Sequence, residues 1–427
     1  MKSLEELTVC VVGHGLEIPI AQRLAKDVKR CIYFSEWQEG FSVVNKASIG
    51  LGFQNIERCE DVWDVKDDVD LFVFPDIQES GLQLELERQG FPVWGSRRAD
   101  RLEQDREFFM AALKHVGLEV PQYTVCTGID ELRKHLRDEQ DAFVKVSWFR
   151  GTIETKHFRS WDLDANIIDA WAVKLGARRH TFRFLVFKPI DTPLEIGGDT
   201  YCVDGQWPEL MLHGIEWKDK SYLSAVTKRD EMPQPIQDVL TAFSDFFKAK
   251  RMRNQWSMEI RVKDDKAYFI DATPRLGLPS TASQLEIWEN FSDIVWHGAN
   301  GILLNPVPAG KFSAELNLSV KQEGEVWPTI DALGITQWVK LYNCMTDGDV
   351  ISFIPECCEA EHVGWLVAIG DTPTEVVDKI KGYVDELPDG LCADAAPLAD
   401  VIMEIEKEED KGIEFTEQEM PQPEEAI

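Results

Sequence analysis

Two acidic residues, Glu259 and Asp271, lie in a segment over 256–271 that has the pattern of a β-hairpin. Alternation along the strands predicts that these carboxylates face each other, and that Thr273 and Arg275 share the face of Asp271. Two facing carboxylates repel each other unless a cation bridges them, and Mg²⁺ binds one or two carboxylates together with nucleotide phosphates. Arg275 could contact a phosphoryl group during its transfer. The spacing indicates a metal–nucleotide site, with a solvent-facing hairpin carrying incidental charges as the alternative.

The composition is that of a globular protein with a strong negative charge. The chain has 427 residues, 44% of them hydrophobic, and a formal net charge of −31. This length predicts about two to four domains. A nucleic-acid surface needs clustered Lys and Arg, so the charge argues against that class of partner. No run of about 18 apolar residues and no signal-peptide pattern occurs, so we expect a cytoplasmic protein without a membrane span.

The first hundred residues alternate between apolar runs and helical patterns, which predicts a parallel α/β sheet. An apolar run over 7–12 is followed by Gly13 and Gly15 and then by a helical pattern, as in the opening of a Rossmann-like unit. The third glycine of a dinucleotide fingerprint is absent, because residue 18 is Ile. We therefore interpret the glycines as a tight turn that opens a substrate-facing loop, with dinucleotide binding by an oxidoreductase as the weaker alternative.

The remaining elements follow from periodicity and from start and stop signals. One helix is predicted over 101–116, where Gly117 stops it, and a second over 233–251. A third is predicted over 374–384, with Thr372 or Thr374 as its N-cap. The predicted strands outside the hairpin and the first hundred residues are 142–146, 181–187, 200–203, 312–320 and 364–370.

The hairpin motif resembles the metal-binding signature of ATP-grasp ligases. Here the signature is Glu259, then Asp271-Ala272-Thr273-Pro274-Arg275. That family usually has Glu at the position of Asp271 and Asn at the position of Thr273. The resemblance implies that ATP and Mg²⁺ (or Mn²⁺) bind here, with Glu259, Asp271 and Thr273 as metal ligands and Arg275 as a catalytic residue.

Other landmarks of the same family occur in order along the chain. Arg106 stands where the family has a Lys that contacts the nucleotide phosphates, and Lys145 resembles the second such Lys, with a catalytic role. The loop after Lys145 would cover the phosphates through Gly151 and Thr152. The segment 186–190 resembles the hinge at adenine, and Glu195 fits the carboxylate that binds ribose. The implied hinge contacts are Phe187, Lys188 and Ile190.

Among ATP-grasp ligases, the chain is most similar to the glycinamide ribonucleotide synthetase (phosphoribosylamine–glycine ligase) family. This implies an α/β and α+β multidomain fold. The implied layout is a Rossmann-like domain at 1–100, an ATP-grasp domain at 101–305 with a smaller lid subdomain at about 122–188, a C-terminal α+β domain at 306–398, and a partly disordered acidic tail at 399–427. The implied substrate contacts are Gly13, Gly15, Asp76 and Lys220.

The resemblance implies an ATP-dependent carboxylate–amine ligase that works through an acyl phosphate and releases ADP and phosphate. The expected partners are a small carboxylic acid and a small amine, with a homodimer left open. The family's stretch after the adenine hinge, including a Thr-Gly-Gly-Met-Gly segment, has no counterpart here, so phosphoribosylamine and glycine need not be the substrates. The alternatives are an ATP-grasp carboxylase, a peptide- or nucleotide-modifying ligase, and a catalytically reduced nucleotide-binding regulatory protein.

Overall fold

A computed structural model describes residues 1–13, 15–35, 48–77, 79–147, 155–190, 195–217, 220–264, 266–321, 327–354 and 362–398. The predictions on Gly151, Thr152 and the tail at 399–427 lie outside these residues, and so does the side chain of Glu195. Within them, the chain is a mixed α/β protein with one parallel and three antiparallel sheets.

The N-terminal region forms the predicted parallel sheet, with strand order β3-β2-β1-β4-β5. Strand β1 is buried along its whole length, because helices cover both faces of a parallel sheet and leave no polar side. The strands are β1 Thr8–Gly13, β2 Arg30–Ser35, β3 Glu57–Arg58, β4 Leu71–Val73 and β5 Val93–Trp94. The helices are α1 Ile18–Leu24, α2 Val62–Val65 and α3 Ser80–Arg88.

The prediction of a single helix over 101–116 is wrong, because two helices cover this range. These are α4 Arg101–Gln104 and α5 Arg106–Val116. Asp105 between them is extended, and its carboxylate accepts a hydrogen bond from the Phe108 amide at 3.1 Å. This N-cap starts a new helix, since a capping carboxylate satisfies an amide that has no intrahelical partner. Gly117 ends α5, as predicted, and has a left-handed conformation.

A small antiparallel sheet with its own core follows, in the order β6-β9-β7-β8. Its apolar face packs on two helices, and Trp171 of α7 stacks on Phe184 of β9. The strands are β6 Tyr123–Thr127, β7 Gln140–Val146, β8 Thr155–Ser160 and β9 Arg183–Phe187. The helices are α6 Gly128–Leu136 and α7 Trp161–Leu175.

The largest sheet has nine strands, eight of them in the order β14-β13-β10-β11-β12-β15-β20-β17, with β21 paired to β15. Helix α8, Gln234–Lys250, packs with its apolar side chains against one face of the β13–β14 hairpin and β10. The strands of its first half are β10 Glu195–Val203, β11 Leu210–Trp217, β12 Ser221–Lys228, β13 Arg253–Lys263 and β14 Lys266–Thr273.

The sheet continues without a break past residue 305, because β12 pairs with β15. Two helices, α9 Thr281–Ile287 and α10 Phe291–Ala299, precede β15, and α11 Pro373–Asp385 packs on β15 and β20. Thr372 is the N-cap of α11, one of the two predicted alternatives. The remaining strands are β15 Phe312–Val320, β16 Thr329–Asp331, β17 Val339–Leu341, β18 Cys344–Asp347, β19 Val350–Phe353, β20 Gly364–Gly370 and β21 Leu391–Cys392. None of the helices that the structure describes is long and apolar enough to cross a bilayer.

Candidate functional site

A cleft of about 610 Å³ opens on the face of the large sheet opposite α8. Directly paired residues of antiparallel strands lie on the same face, so the register shows which side chains are brought together. This face carries one carboxylate on each of five strands. They are Asp271 on β14, Glu259 on β13, Asp199 on β10, Glu216 on β11 and Glu315 on β15.

The hairpin β13–β14 places the predicted metal ligands opposite each other. Glu259 is the direct cross-strand partner of Asp271, and Ser257 is that of Thr273. The register shifts immediately after Glu259, where a β-bulge leaves one extra residue on β14. Side chains 256, 258 and 260 of β13 are buried against α8, and the alternate positions therefore face the cleft.

Two cations converge on Asp271. The Arg106 guanidinium donates to Oδ1 at 2.6 Å, and the Lys145 ammonium lies 3.4 Å from Oδ2. The Arg106 side chain is only 2% exposed, and its backbone amide donates to the Ser147 hydroxyl at 3.2 Å. Burial lowers the pKa of Lys145, the charge of Asp271 raises it, and that of Arg106 lowers it further. The helix break at Asp105 gives Arg106 this position at the start of α5.

The carboxylate pair fits a divalent cation that shares its coordination with phosphates. Both Glu259 and Asp271 line the cleft, and Thr273 adds a hydroxyl oxygen on the same face. Within the described residues, no group of three or more His, Cys, Asp or Glu side chains could hold a metal ion. Two protein carboxylates are what Mg²⁺ needs when nucleotide phosphates complete the shell, so the donor set suits Mg²⁺ rather than a closed structural site.

Arg275 is held at the edge of the cleft by acidic groups of two other segments. Its guanidinium forms a close pair with Glu103 of α4, at 2.8–3.1 Å, and lies 3.4 Å from Asp76 after β4. It also donates to the Leu276 carbonyl at 2.8 Å. Asp76, predicted as a substrate contact, therefore lies beside the predicted catalytic arginine. The sequence reasoning assigned no role to Glu103.

The predicted adenine-hinge contacts lie at the end of the cleft formed by the small sheet. Phe187, Lys188 and Ile190 line it, together with Phe143, and the Ile190 carbonyl accepts from Arg261 at 3.4 Å. The Lys188 ammonium pairs with Glu139. The backbone of Glu195 starts β10, directly paired with Arg261. These side chains give this end of the cleft an apolar surface flanked by charged groups.

The opposite end of the cleft contains a polar network that the sequence reasoning missed. Asp199 of β10 accepts hydrogen bonds from Tyr222 at 2.6 Å, Ser257 at 2.5 Å and Ser280 at 2.7 Å. Burial raises the pKa of Asp199, and the three hydroxyl donors act in the opposite direction. Asp199 follows Glu195 by four residues, so alternation places both on the same face of the strand. This spacing is the sequence signal that could have placed Asp199 in the cleft.

The glycine turn after β1 lies against a carboxylate. The Gly15 amide donates to the Glu17 carboxylate at 3.0 Å and to the Tyr33 hydroxyl at 3.0 Å. A Cβ on Gly13 would lie 2.4 Å from the Glu17 carboxylate oxygen, and Gly15 has φ of +115°. Lys220, the last predicted substrate contact, is exposed in the turn between β11 and β12 and does not line the cleft.

Comparisons with known proteins found two curated sequence relatives and many similar folds. No family model matches the sequence. The formate-dependent phosphoribosylglycinamide formyltransferase of Maridesulfovibrio salexigens is 24% identical over 333 residues, which are 71% of this chain and 76% of that protein. The phosphoribosylamine–glycine ligase of Thermotoga maritima has a similar structure, with a TM-score of 0.66 at 13% identity over 91% of this chain and 99% of that one.

A third similar protein was solved with ligands. The biotin carboxylase domain dimer of Hydrogenobacter thermophilus 2-oxoglutarate carboxylase gives a TM-score of 0.63 at 13% identity, over 98% of this chain and 97% of that one. That structure contains MgADP, ADP and bicarbonate. All three proteins are ATP-grasp enzymes. This chain has the ATP-grasp fold.

The ATP-grasp fold confirms the resemblance predicted from the hairpin motif and from the order of the landmarks. The small sheet β6–β9 and the large sheet are the two walls of the cleft. Lys145 and Asp271 line it, and Arg106 contacts Asp271 from a buried position. Neighbours with this fold bind ADP or MgADP, which matches the general class of ligand predicted here. The individual site residues remain predictions.

Proposed function

We propose that this ATP-grasp protein is a carboxylate–amine ligase that consumes ATP and releases ADP and phosphate. The observation that carries the proposal is that Glu259, Asp271 and Lys145 line one cleft, where the buried Arg106 contacts Asp271. Phosphoryl transfer depends mainly on position and charge neutralisation, and these residues provide both. A small carboxylic acid and a small amine are the proposed substrates, as in a phosphoribosylamine–glycine ligase-like reaction.

In the proposed reaction, the substrate carboxylate attacks the γ-phosphoryl group of ATP and forms an acyl phosphate, while the bond from the γ-phosphorus to the ADP oxygen breaks. The neutral amine then attacks the acyl carbon, and the bond from that carbon to the phosphate oxygen breaks. The departing phosphate takes up the proton that the nitrogen loses as the amide forms. Lys145 and Arg106 neutralise the outer phosphate oxygens, because their charges already lie within 3.4 Å of Asp271 at the same edge of the cleft. Arg275 stabilises the departing phosphate from a position fixed by Glu103 and Asp76.

Glu259 and Asp271 would hold Mg²⁺, with Thr273 beside them, and the ion would neutralise part of the charge of the nucleotide phosphates. In the structure, both oxygens of Asp271 contact Arg106 or Lys145. Binding of Mg-ATP would therefore transfer these two cations from Asp271 to the phosphates.

The test is Mg²⁺-dependent ADP formation by the full chain with a panel of carboxylic acids, including formate and bicarbonate, and a panel of amines. Asp271→Asn is compared with Asp264→Asn, which makes the same change at the exposed hairpin turn, where φ is +50°. ADP release that requires an acid and is lost only in Asp271→Asn would support the ligase.

Two other results would decide against it. If Mg-ATP does not bind at all, the hairpin has no role in nucleotide binding and the proposal is wrong. If Mg-ATP binds tightly and Asp271→Asn abolishes this binding, yet no acid stimulates ADP release, the regulatory nucleotide-binding alternative is the better description. If Asp271→Asn and Asp264→Asn both lose activity, the cause is disruption of the hairpin and not the loss of a metal ligand.

A further inference from the structure

The Ser257 hydroxyl combines access to the cleft with a buried carboxylate as its hydrogen-bond partner. Its Oγ donates to Oδ1 of Asp199 at 2.5 Å, and both residues line the cleft. A hydroxyl has one proton and two lone pairs, so the lone pairs of this oxygen are left for another group. Phosphoryl transfer to a hydroxyl uses such an arrangement, in which an Asp carboxylate accepts the proton of the attacking oxygen.

The environment of Asp199 suits it to take up that proton. Asp199 is 4% exposed, and burial raises its pKa, while the three hydroxyl donors act in the opposite direction. Tyr222 donates to the other oxygen, Oδ2, at 2.6 Å, and Ser280 donates to Oδ1 at 2.7 Å. These two hydrogen bonds fix the carboxylate in place beside the Ser257 oxygen.

Ser257 lies beside the residues that are proposed to hold the nucleotide phosphates. It stands two residues before Glu259 on the same face of β13, and two such positions are about 7 Å apart along a strand. Its direct cross-strand partner on β14 is Thr273, which follows Asp271 on that face. Ser257 therefore has the location that a phosphoryl acceptor needs, one position along the strand face from the carboxylate pair.

The segment that follows β14 leaves the Ser257 hydroxyl open to the cleft. Gly277 of this segment also lines the cleft, and a Cβ there would lie 3.1 Å from both Cβ and Oγ of Ser257. Such a distance is shorter than an ordinary van der Waals contact between carbon atoms. A side chain at position 277 would therefore crowd the hydroxyl, and glycine keeps it accessible.

Three other hydroxyls near the cleft lack one of these features. Tyr222 also donates to Asp199, but it is 4% exposed and its strand, β12, is three strands away from β13. Ser280 is fully buried and does not line the cleft. Thr273 lines the cleft but is not one of the described donors to Asp199. Among the described hydroxyls, Ser257 combines the base, the access and the location.

We propose that Ser257 accepts the γ-phosphoryl group of ATP when no acid substrate is bound, so that this protein phosphorylates itself. A bond forms from Ser257 Oγ to the γ-phosphorus, the bond from that phosphorus to the ADP oxygen breaks, and the hydroxyl proton moves to Asp199. The products are a phosphoserine in the cleft and ADP. The proposal rests on the nucleotide site of the ligase function above and adds a second phosphoryl acceptor to it.

The test is incubation of the full chain with Mg²⁺ and with ATP labelled at the γ-phosphorus, in the absence of any acid substrate. We expect the label on Ser257 when the peptides are analysed by mass spectrometry. The rate per chain should not depend on protein concentration, because the transfer occurs within one chain. Asp271→Asn should lose the label, whereas labelling by a contaminating kinase would continue in this variant.

Variants of the network distinguish the acceptor and the base from their neighbours. Ser257→Ala should lose the label, and Ser257→Thr, which keeps a hydroxyl, should retain it. Asp199→Asn should slow labelling about 100-fold or more, since an amide cannot take up the proton. Ser280→Ala is the matched control, because it removes the other hydroxyl that donates to Oδ1 of Asp199. Its labelling rate should stay within about threefold of that of the unchanged chain.

Mg-ATP affinity, measured in every variant, separates this proposal from the ligase function. If Mg-ATP binds and no phosphate is found on Ser257, or if the label lies on another residue such as Tyr222, the self-phosphorylation proposal alone is wrong. It is also wrong if Asp199→Asn is labelled as fast as the unchanged chain, because Asp199 is then not the base. If Mg-ATP does not bind at all, both proposals are wrong.

Discussion

Glu259 and Asp271 are direct cross-strand partners, and the register of their strands shifts at the next residue. A β-bulge interrupts the pairing and increases the local twist, so the two carboxylates lie at the edge of the bulge, beyond which the strands pair in a shifted register. Two cations from outside the hairpin, Arg106 and Lys145, approach Asp271 at this position. The relationship explains how a like-charged pair is tolerated on neighbouring strands.

Lys145→Met should weaken Mg-ATP binding by about 10- to 100-fold, because it removes a buried positive charge from the phosphate end of the cleft. The measurement is the dissociation constant for Mg-ATP at fixed salt. Lys134→Met, on the exposed side of α6, removes the same charge elsewhere and should leave the constant unchanged. If both variants bind Mg-ATP equally weakly, the effect comes from the electrostatic field of the whole protein and not from a contact at this site.

Arg275→Lys should lower turnover at least tenfold while Mg-ATP affinity changes by less than about threefold. Lysine cannot reproduce the two-nitrogen contact with Glu103, so the charge loses its fixed position. The comparison is Arg88→Lys, an exposed arginine on α3 that also pairs with a glutamate. A parallel loss of Mg-ATP affinity would mean that Arg275 binds the nucleotide ground state and has no selective role in the transition state.

Gly214→Ala and Gly382→Ala should change stability in opposite directions. A Cβ on Gly214 would lie 2.2 Å from the Tyr222 hydroxyl, so we expect Tyr222 to leave Asp199 and the free energy of unfolding to fall by about 1–3 kcal/mol. Gly382 lies within α11 with nothing within 4 Å of its Cβ position. Alanine there should stabilise the protein by about 0.5–1 kcal/mol. Urea denaturation measures both; a neutral Gly214→Ala would show that Tyr222 can move without cost.

Glu315 should make stability depend on pH. Burial raises its pKa from 4.5 to about 7, although the Ser283 amide opposes this. Between these pH values the folded chain retains a proton that the unfolded chain has lost, so this residue lowers stability as pH rises from about 4.5 to 7. The full effect is on the order of 3 kcal/mol. Glu315→Gln should remove this slope in urea denaturation, whereas the exposed Glu386→Gln should retain it.

The parts of the fold that depend on local pattern could be predicted from the sequence. The strands Phe312–Val320 and Gly364–Gly370 have the predicted bounds, because each is an alternating or apolar run between turn residues. The pairing of Glu259 with Asp271 followed from a turn centred near Asp264. The break at Asp105 was missed because the apolar periodicity continues through it, and periodicity does not report a cap.

The Asp199 network could not be predicted in the same way. Its donors, Tyr222, Ser257 and Ser280, come from three other segments, and only the three-dimensional pairing of strands brings them together. The pairing of Arg275 with Glu103 has the same origin, since 172 residues separate the two in sequence. Contacts of this kind depend on register between distant strands, whereas sequence patterns determine only which face each residue occupies.

The pairing of β12 with β15 limits where this chain can be truncated. Five residue pairs join the two strands across position 305, where the sequence suggested a domain boundary. A fragment that stops there would expose the unpaired amides and carbonyls of β12 along one side, and such an edge recruits other chains. Expressed alone, residues 1–305 should therefore self-associate. A monomeric fragment that keeps the cleft has to include β15, because this strand pairs with the edge of β12.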